Sequence, residues 1–150
     1  NKLLLIIIIA IIPIIFNDIK FLYAIRGNRG VELNEENALK IIEWNDKLKL
    51  SEIYATLSRD TVTWKDEVSD EERDIFLKIM KENNIKVHLF DTLKEAVETV
   101  IDIAQKDDVV MFAGCQGMDK AGRIGLNYIL EKNNSYDREE ILFPLKDRIV

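Results

Sequence analysis

Apolar and polar positions alternate along this chain in two rhythms. Short, nearly unbroken apolar runs recur at Lys20–Ile25 (KFLYAI), Ile53–Leu57 (IYATL), Lys86–Phe90 (KVHLF) and Asp108–Ala113 (DVVMFA). Runs of this length, rich in branched and aromatic residues, predict strands buried on both faces. Between them lie longer stretches with apolar residues at helical spacing. Asn34–Leu50 carries Ala38, Ile41, Ile42, Trp44 and Leu48, with glutamates in its first turn where the helix dipole favours them. Ser69-Asp-Glu-Glu72 and Thr92-Leu-Lys-Glu95 both have the capping-box form, in which hydroxyl and glutamate satisfy each other's backbone donors. The first opens a helix bearing Ile75, Phe76, Ile79 and Met80 that ends near Asn83 and Asn84, and the second opens LKEAVETVIDIAQ. A last helix follows GCQGMDKAG and runs through Leu130, and the closing ILFPLKDRIV reads as a further short strand.

Parallel neighbours in a sheet require crossover connections, and each of these strands is followed by a helical stretch. The pattern predicts an α/β fold, a three-layer α/β/α Rossmann-like domain with a mainly parallel sheet. A length of 150 residues is enough for one such domain with its own core. Ligands in these sheets sit at the carboxyl ends of the strands. Three loops occupy that position: RGNRG (Arg26–Gly30), SRDTVT (Ser58–Thr63) and AGCQGMD (Ala113–Asp119).

The first 19 residues stand apart as an apolar amino-terminal segment ahead of a domain spanning 20–150. Leu3–Phe16 (LLLIIIIAIIPIIF) is uncharged and branched, but shorter than the roughly 20 residues of a spanning helix and interrupted by Pro13. Lys2 suits the start of a signal peptide, yet no small-x-small cleavage site follows before Asn17 and Asp18. The segment reads as a buried strand or core piece, with a signal sequence or short anchor as the alternatives, so a membrane role is not expected but stays open.

A net charge of -6 argues against non-specific nucleic-acid binding, which draws on many basic side chains. Any anion must be held locally. With one cysteine, Cys115, and one histidine, His88, the chain has no intrachain disulfide and no Cys/His zinc cluster, and a reducing, cytoplasmic location is expected. No metal site and no catalytic residue is assigned within the chain.

In RGNRG, Gly27 and Gly30 permit close backbone approach while Arg26 and Arg29 offer planar donors for phosphate or carboxylate. The loop is neither a Walker A motif nor a dinucleotide fingerprint, and a solvated turn is the alternative. Ser58, Arg59 and Asp60 mix one cation, one anion and a hydroxyl, as a zwitterionic amino acid requires; the alternative is a turn in which Asp60 caps backbone donors and Arg59 is solvated. Gly114, Gln116, Gly117 and Asp119 lie beside the last helix. Cys115 has no base next to it in sequence and reads as a small, partly buried thiol, and His88 as a surface strand residue. The Asp107-Asp108 pair and the run DEERD (70–74) read as solvated faces.

YAIRGNRGVELNEENALKIIEW, ATLSRDTVT and VVMFAGCQGMD, in this order and spacing, resemble the carboxyl-terminal domain of the Mur ligases, ATP-dependent amide ligases that add amino acids to the peptidoglycan precursor. The resemblance covers roughly Lys20–Leu130. It implies that Arg26, Gly27, Arg29 and Gly30 face the nucleotide's phosphates. It also implies that Ser58, Arg59, Asp60, Gly114, Gly117 and Asp119 help select the incoming amino acid. The diaminopimelate-adding members carry Asp-Asn-Pro-Arg where this chain has Arg59 and Asp60 without the proline, so the amino acid is left open. ATP and magnesium are implied as cofactors, held mainly by a Mur-type central domain whose Walker loop this sequence does not contain. The expected partners are therefore that central domain, in cis or in trans, and a small-molecule amino acid, the chain being inactive alone. The rival expectation is a non-catalytic Rossmann-like module that binds an anionic ligand or partner.

Overall fold

The computed structural model describes residues 17–146. The Leu3–Phe16 segment and residues 147–150 of the tail lie outside the described residues. Within them run four strands, β1 (Ile19–Ala24), β2 (Glu52–Thr56), β3 (Lys86–Phe90) and β4 (Val109–Ala113). Helices α1 (Val31–Leu48), α2 (Asp70–Glu82), α3 (Leu93–Ile103) and α4 (Ala121–Lys132) follow them in turn, and a short α5 (Arg138–Leu142) ends the series. All strand pairings are parallel, in the order β3-β2-β1-β4. The register sets Leu22 beside Tyr54 of β2 and Phe112 of β4.

The inner strands β1 and β2 are buried on both faces, which is why they read as continuous apolar runs. Phe21, Tyr23 and Ile25 point to one face, where they pack with Ile53 and Ala55 of β2 beneath Ala38 of α1 and Phe76, Ile79 and Met80 of α2. Leu22 and Ala24 point to the other, against Leu93, Ala96, Val97 and Val100 of α3 and Ala121 of α4. The expected three-layer α/β/α architecture with a parallel sheet is what the chain adopts.

The helix starts follow from local chemistry. At α2 the Ser69 hydroxyl accepts from the Glu72 N–H at 3.2 Å and the Glu72 carboxylate accepts from the Ser69 N–H at 3.0 Å, completing the capping box. At α3 the Thr92 hydroxyl accepts from the Glu95 N–H. α1 begins at Val31 rather than Asn34, immediately after Gly30, whose φ of 92° turns the chain into the helix without any side-chain cap.

The tail departs from expectation. Its apolar run is helical, not a strand: α5 is capped by Asp137, which accepts from the Glu140 N–H, and continues into a 3-10 turn at Phe143–Leu145. No helix among the described residues is long and apolar enough to cross a membrane.

Candidate functional site

The strand order reverses between β1 and β4, so their following loops leave toward opposite faces of the sheet. α1, after β1, packs on one face, and α4, after β4, on the other. A crevice at such a switch point is where open α/β sheets bind ligands. Two of the three predicted loops meet there.

The loop after β4 folds back over the end of β1. Gly114 has φ of 144°, and a Cβ there would stand 3.0 Å from the Ala24 side chain; at Gly117 it would stand 3.1 Å from Ala24 and 3.2 Å from Ser58 Oγ. These contacts nearly close the crevice, leaving about 10 Å³ between Arg26, Gly27, Cys115, Gln116 and Gly117. An open hollow of about 340 Å³ lies beside it, lined by Gly114, Cys115, Asp119 and Gly122 with Phe112, Met118 and Leu145 as its apolar wall. Asp119 is the acidic residue of that lining.

Arg26 reaches across the crevice. Its Nη1 donates to Cys115 Sγ at 3.2 Å, while its Nε is buried without a hydrogen-bond partner among the described residues. Cys115 is an exposed residue, which corrects the expectation of a partly buried thiol: it follows the Gly114 turn at the rim. Arg29 is committed to the neighbouring loop, pairing with Asp66 Oδ1 at 3.1 Å and donating to the Asn28 carbonyl.

Two buried polar side chains grip the Arg26–Gly30 loop, and neither was expected to. Asn34, fully buried in the first turn of α1, accepts from the Arg26 N–H at 3.3 Å and donates Nδ2 to the Arg26 carbonyl at 2.7 Å and the Gly30 carbonyl at 3.2 Å. Glu72 of α2 is 3% exposed. Its carboxylate accepts from the N–H groups of Asn28 at 3.1 Å, Arg29 at 2.8 Å and Gly30 at 2.8 Å. The reading of DEERD as a solvated face therefore fails at Glu72, because the sharp turn of the loop leaves three amides that need an acceptor. Asp108 is likewise not solvated: its side chain is 5% exposed and accepts from the Gln105 N–H.

This bears on what the loop can hold. The backbone donors that a phosphate would use at residues 28–30 are already bonded to an internal carboxylate. Those three amides are therefore engaged, and Arg26 is the cationic residue that lines the crevice. Among the described residues, no group of three or more His, Cys, Asp or Glu side chains is placed to hold a metal ion.

The second predicted loop is largely occupied with its own structure. Ser58 is buried, with φ of 53°, and donates its hydroxyl to the Gly117 carbonyl at 2.7 Å, tying the β2 and β4 loops together. Asp60 accepts from the N–H groups of Leu93 and Lys94 and so caps α3. Arg59 is exposed on the same rim. His88 lies on β3, half-buried, stacked on Tyr54 and 2.8 Å from Glu52, away from the crevice.

Burial raises the pKa of Glu72, but the hydrogen bonds from Ser69, Arg29, Gly30 and Asn28 together outweigh it, and the net direction is downward. The folded pKa is then below the unfolded one. The ionised carboxylate stabilises the fold above the ordinary glutamate range, and that contribution is lost as pH falls through the folded value. Thermal melts between about pH 7 and pH 3 are expected to show a steep acid loss in the wild type and a shallower one in Glu72→Gln. Parallel slopes for the two proteins would remove Glu72 as the cause. Compared with known proteins, the chain matches no family model and no curated sequence.

Proposed function

We propose that this chain is the carboxyl-terminal domain of a Mur-ligase-like, ATP-dependent amide ligase acting in the cytoplasm on a cell-wall precursor. The observation that carries the reading is the Arg26 guanidinium at the β1–β4 switch point, with a buried Nε–H that has no partner among the described residues. A buried cationic donor without a partner is a cost that an anion relieves once the two loops part enough to admit it to the crevice. In this reaction class ATP phosphorylates a carboxylate and an amine then attacks the acyl phosphate, so guanidinium groups that meet phosphate charge are what the chemistry needs. Arg26 supplies that contact from the lid side, while a central domain binds magnesium and most of the nucleotide. The hollow bearing Asp119 and Gly114 is the place for the amine-bearing substrate, with the Asp119 carboxylate facing its ammonium group.

Calorimetry of the full chain with ATP–magnesium and candidate amino acids, with and without a Mur-type central domain, tests this. Nucleotide binding is expected with the central domain present, and Arg26→Ala should weaken it by about 10–100-fold, the size of a charge-assisted arginine–phosphate contact. Absence of any nucleotide response in the wild-type pair sinks the reading.

One set of observations favours the rival, a non-catalytic module that recognises an anion through Arg26 alone. Arg29, Ser58, Asp60 and the loop amides are all engaged in holding the fold. Anion binding without product formation in the reconstituted pair would decide for it.

A further inference from the structure

We propose that Asn34 and Glu72 are the positioning residues of this site, a two-sided clamp that holds the Arg26–Gly30 loop in the one shape that lays the Arg26 guanidinium across the crevice. What Arg26 is positioned to meet rests on the function proposed above; the clamp itself does not.

The loop passes twice through the left-handed region. Asn28 sits at φ of 53° and Gly30 at 92°. From the α1 side, the Asn34 carboxamide pairs with both backbone polar groups of Arg26, accepting from its N–H and donating to its carbonyl. From the α2 side, the two oxygens of Glu72 collect the N–H groups of residues 28, 29 and 30 as well as that of Ser69. Between the two grips Gly27 is wedged against the backbone of Asp66 and Glu67, so a shift at residues 28–30 has nowhere to relax and passes to Arg26. Among the described residues the buried polar ones are Asn34, Thr56, Ser58 and Glu72, and two of them are spent on this loop.

A different role for Glu72 has to be weighed: an internal plug that competes with an incoming anion for the amides. Glu72 is 3% exposed and anchored in its own capping box, so an anion that displaced it from the loop would leave a buried charge with the Ser69 N–H in place of four donors. The two roles predict opposite signs. Removing a plug tightens anion binding; loosening a clamp weakens it.

The chain carries its own reporter. Cys115 is the only cysteine, it is exposed, and Arg26 Nη1 donates to its sulfur. The rate at which iodoacetamide alkylates it therefore reports where the guanidinium lies, without any ligand. Arg26→Ala defines the rate with the guanidinium gone. Glu72→Gln and Asn34→Asp are near-isosteric and set a donor against a donor, or an acceptor against an acceptor. Each is expected to move the rate at least halfway from wild type to Arg26→Ala, with unchanged far-UV circular dichroism, while Glu71→Gln on the exposed side of α2 stays at the wild-type rate. If either isostere does not fold, Glu72→Asp or Asn34→Ser takes its place, with the same expectation. A wild-type rate in Arg26→Ala, or in both clamp variants, overturns the proposal.

ATP–magnesium titrated into the same variants with a central domain present separates the two failures. A shifted alkylation rate without nucleotide binding by any protein leaves the clamp standing and removes the ligase reading. Tighter binding by Glu72→Gln than by wild type identifies a plug and overturns the clamp.

Discussion

Gly27→Ala is expected to lower the melting temperature by about 6–12 °C, corresponding to roughly 3 kcal/mol or more of overpacking in a chain of this size. A Cβ built on Gly27 lands 2.2 Å from the Asp66 carbonyl oxygen and 2.4 Å from the Glu67 carbonyl carbon. These are backbone atoms of the loop after β2, so no side chain can swing aside, and relief requires one loop to move off the other. The movement breaks the Asn28 Nδ2 bond to the Lys65 carbonyl and the Arg29–Asp66 pair, both of which join the same two loops. Gly30→Ala is the internal comparison. Nothing lies within 4 Å of its Cβ, and only the φ of 92° opposes the substitution, a cost of about 1–2 kcal/mol. Thermal melts should therefore rank wild type above Gly30→Ala above Gly27→Ala. A Gly27→Ala protein melting within about 2 °C of wild type would show that the two loops do not pack as described.

The same loop shows how far local pattern carries and where it stops. The inner strands β1 and β2 are legible because they are buried on both faces, and the loops that end the strands are legible because a parallel sheet gathers the carboxyl ends of its strands on one side. Which loops meet is not. β4 returns to the far side of β1 through α3, and nothing in DVVMFA distinguishes that from pairing beside β3. Glu72 was hidden for a related reason. The capping box with Ser69 accounts for a glutamate at that position, while its other three donors lie 42 to 44 positions earlier in the chain. Asn34 read as the start of α1, yet it stands inside the first turn with its carboxamide turned back onto Arg26. In the tail, Asp137-Arg-Glu-Glu140 has the form of a helix start, and it outweighs the strand-like look of ILF. The predicted loop thus ends an inner strand at the carboxyl side of the sheet, and the amides of residues 28–30 serve the fold.

Phe76→Ala is expected to destabilise the domain by about 3–5 kcal/mol and to lower the melting temperature by about 10–15 °C. Phe76 is fully buried on α2 and stacks on Tyr23 of β1, with ring centroids 5.2 Å apart and planes 12° from parallel. Truncation opens a cavity against the central strand, where the sheet cannot close in. The loss should not stop at stability. Glu72 lies one helical turn before Phe76 on the same buried side of α2. The aromatic stack fixes the height of α2 on the sheet, and that height fixes the carboxylate beneath the amides of residues 28–30. Phe76→Ala, at a temperature where it remains folded, should therefore also shift Cys115 alkylation toward the rate of Arg26→Ala. Leu39→Ala is the control: Leu39 is 51% exposed on α1, and its removal should change stability by no more than about 0.5 kcal/mol and leave the alkylation rate alone. A Phe76→Ala protein that loses stability but keeps the wild-type rate would mean that core packing and loop geometry are independent. The Arg26 guanidinium would then owe its place to Asn34 and Glu72 without the helix packing that seats Glu72.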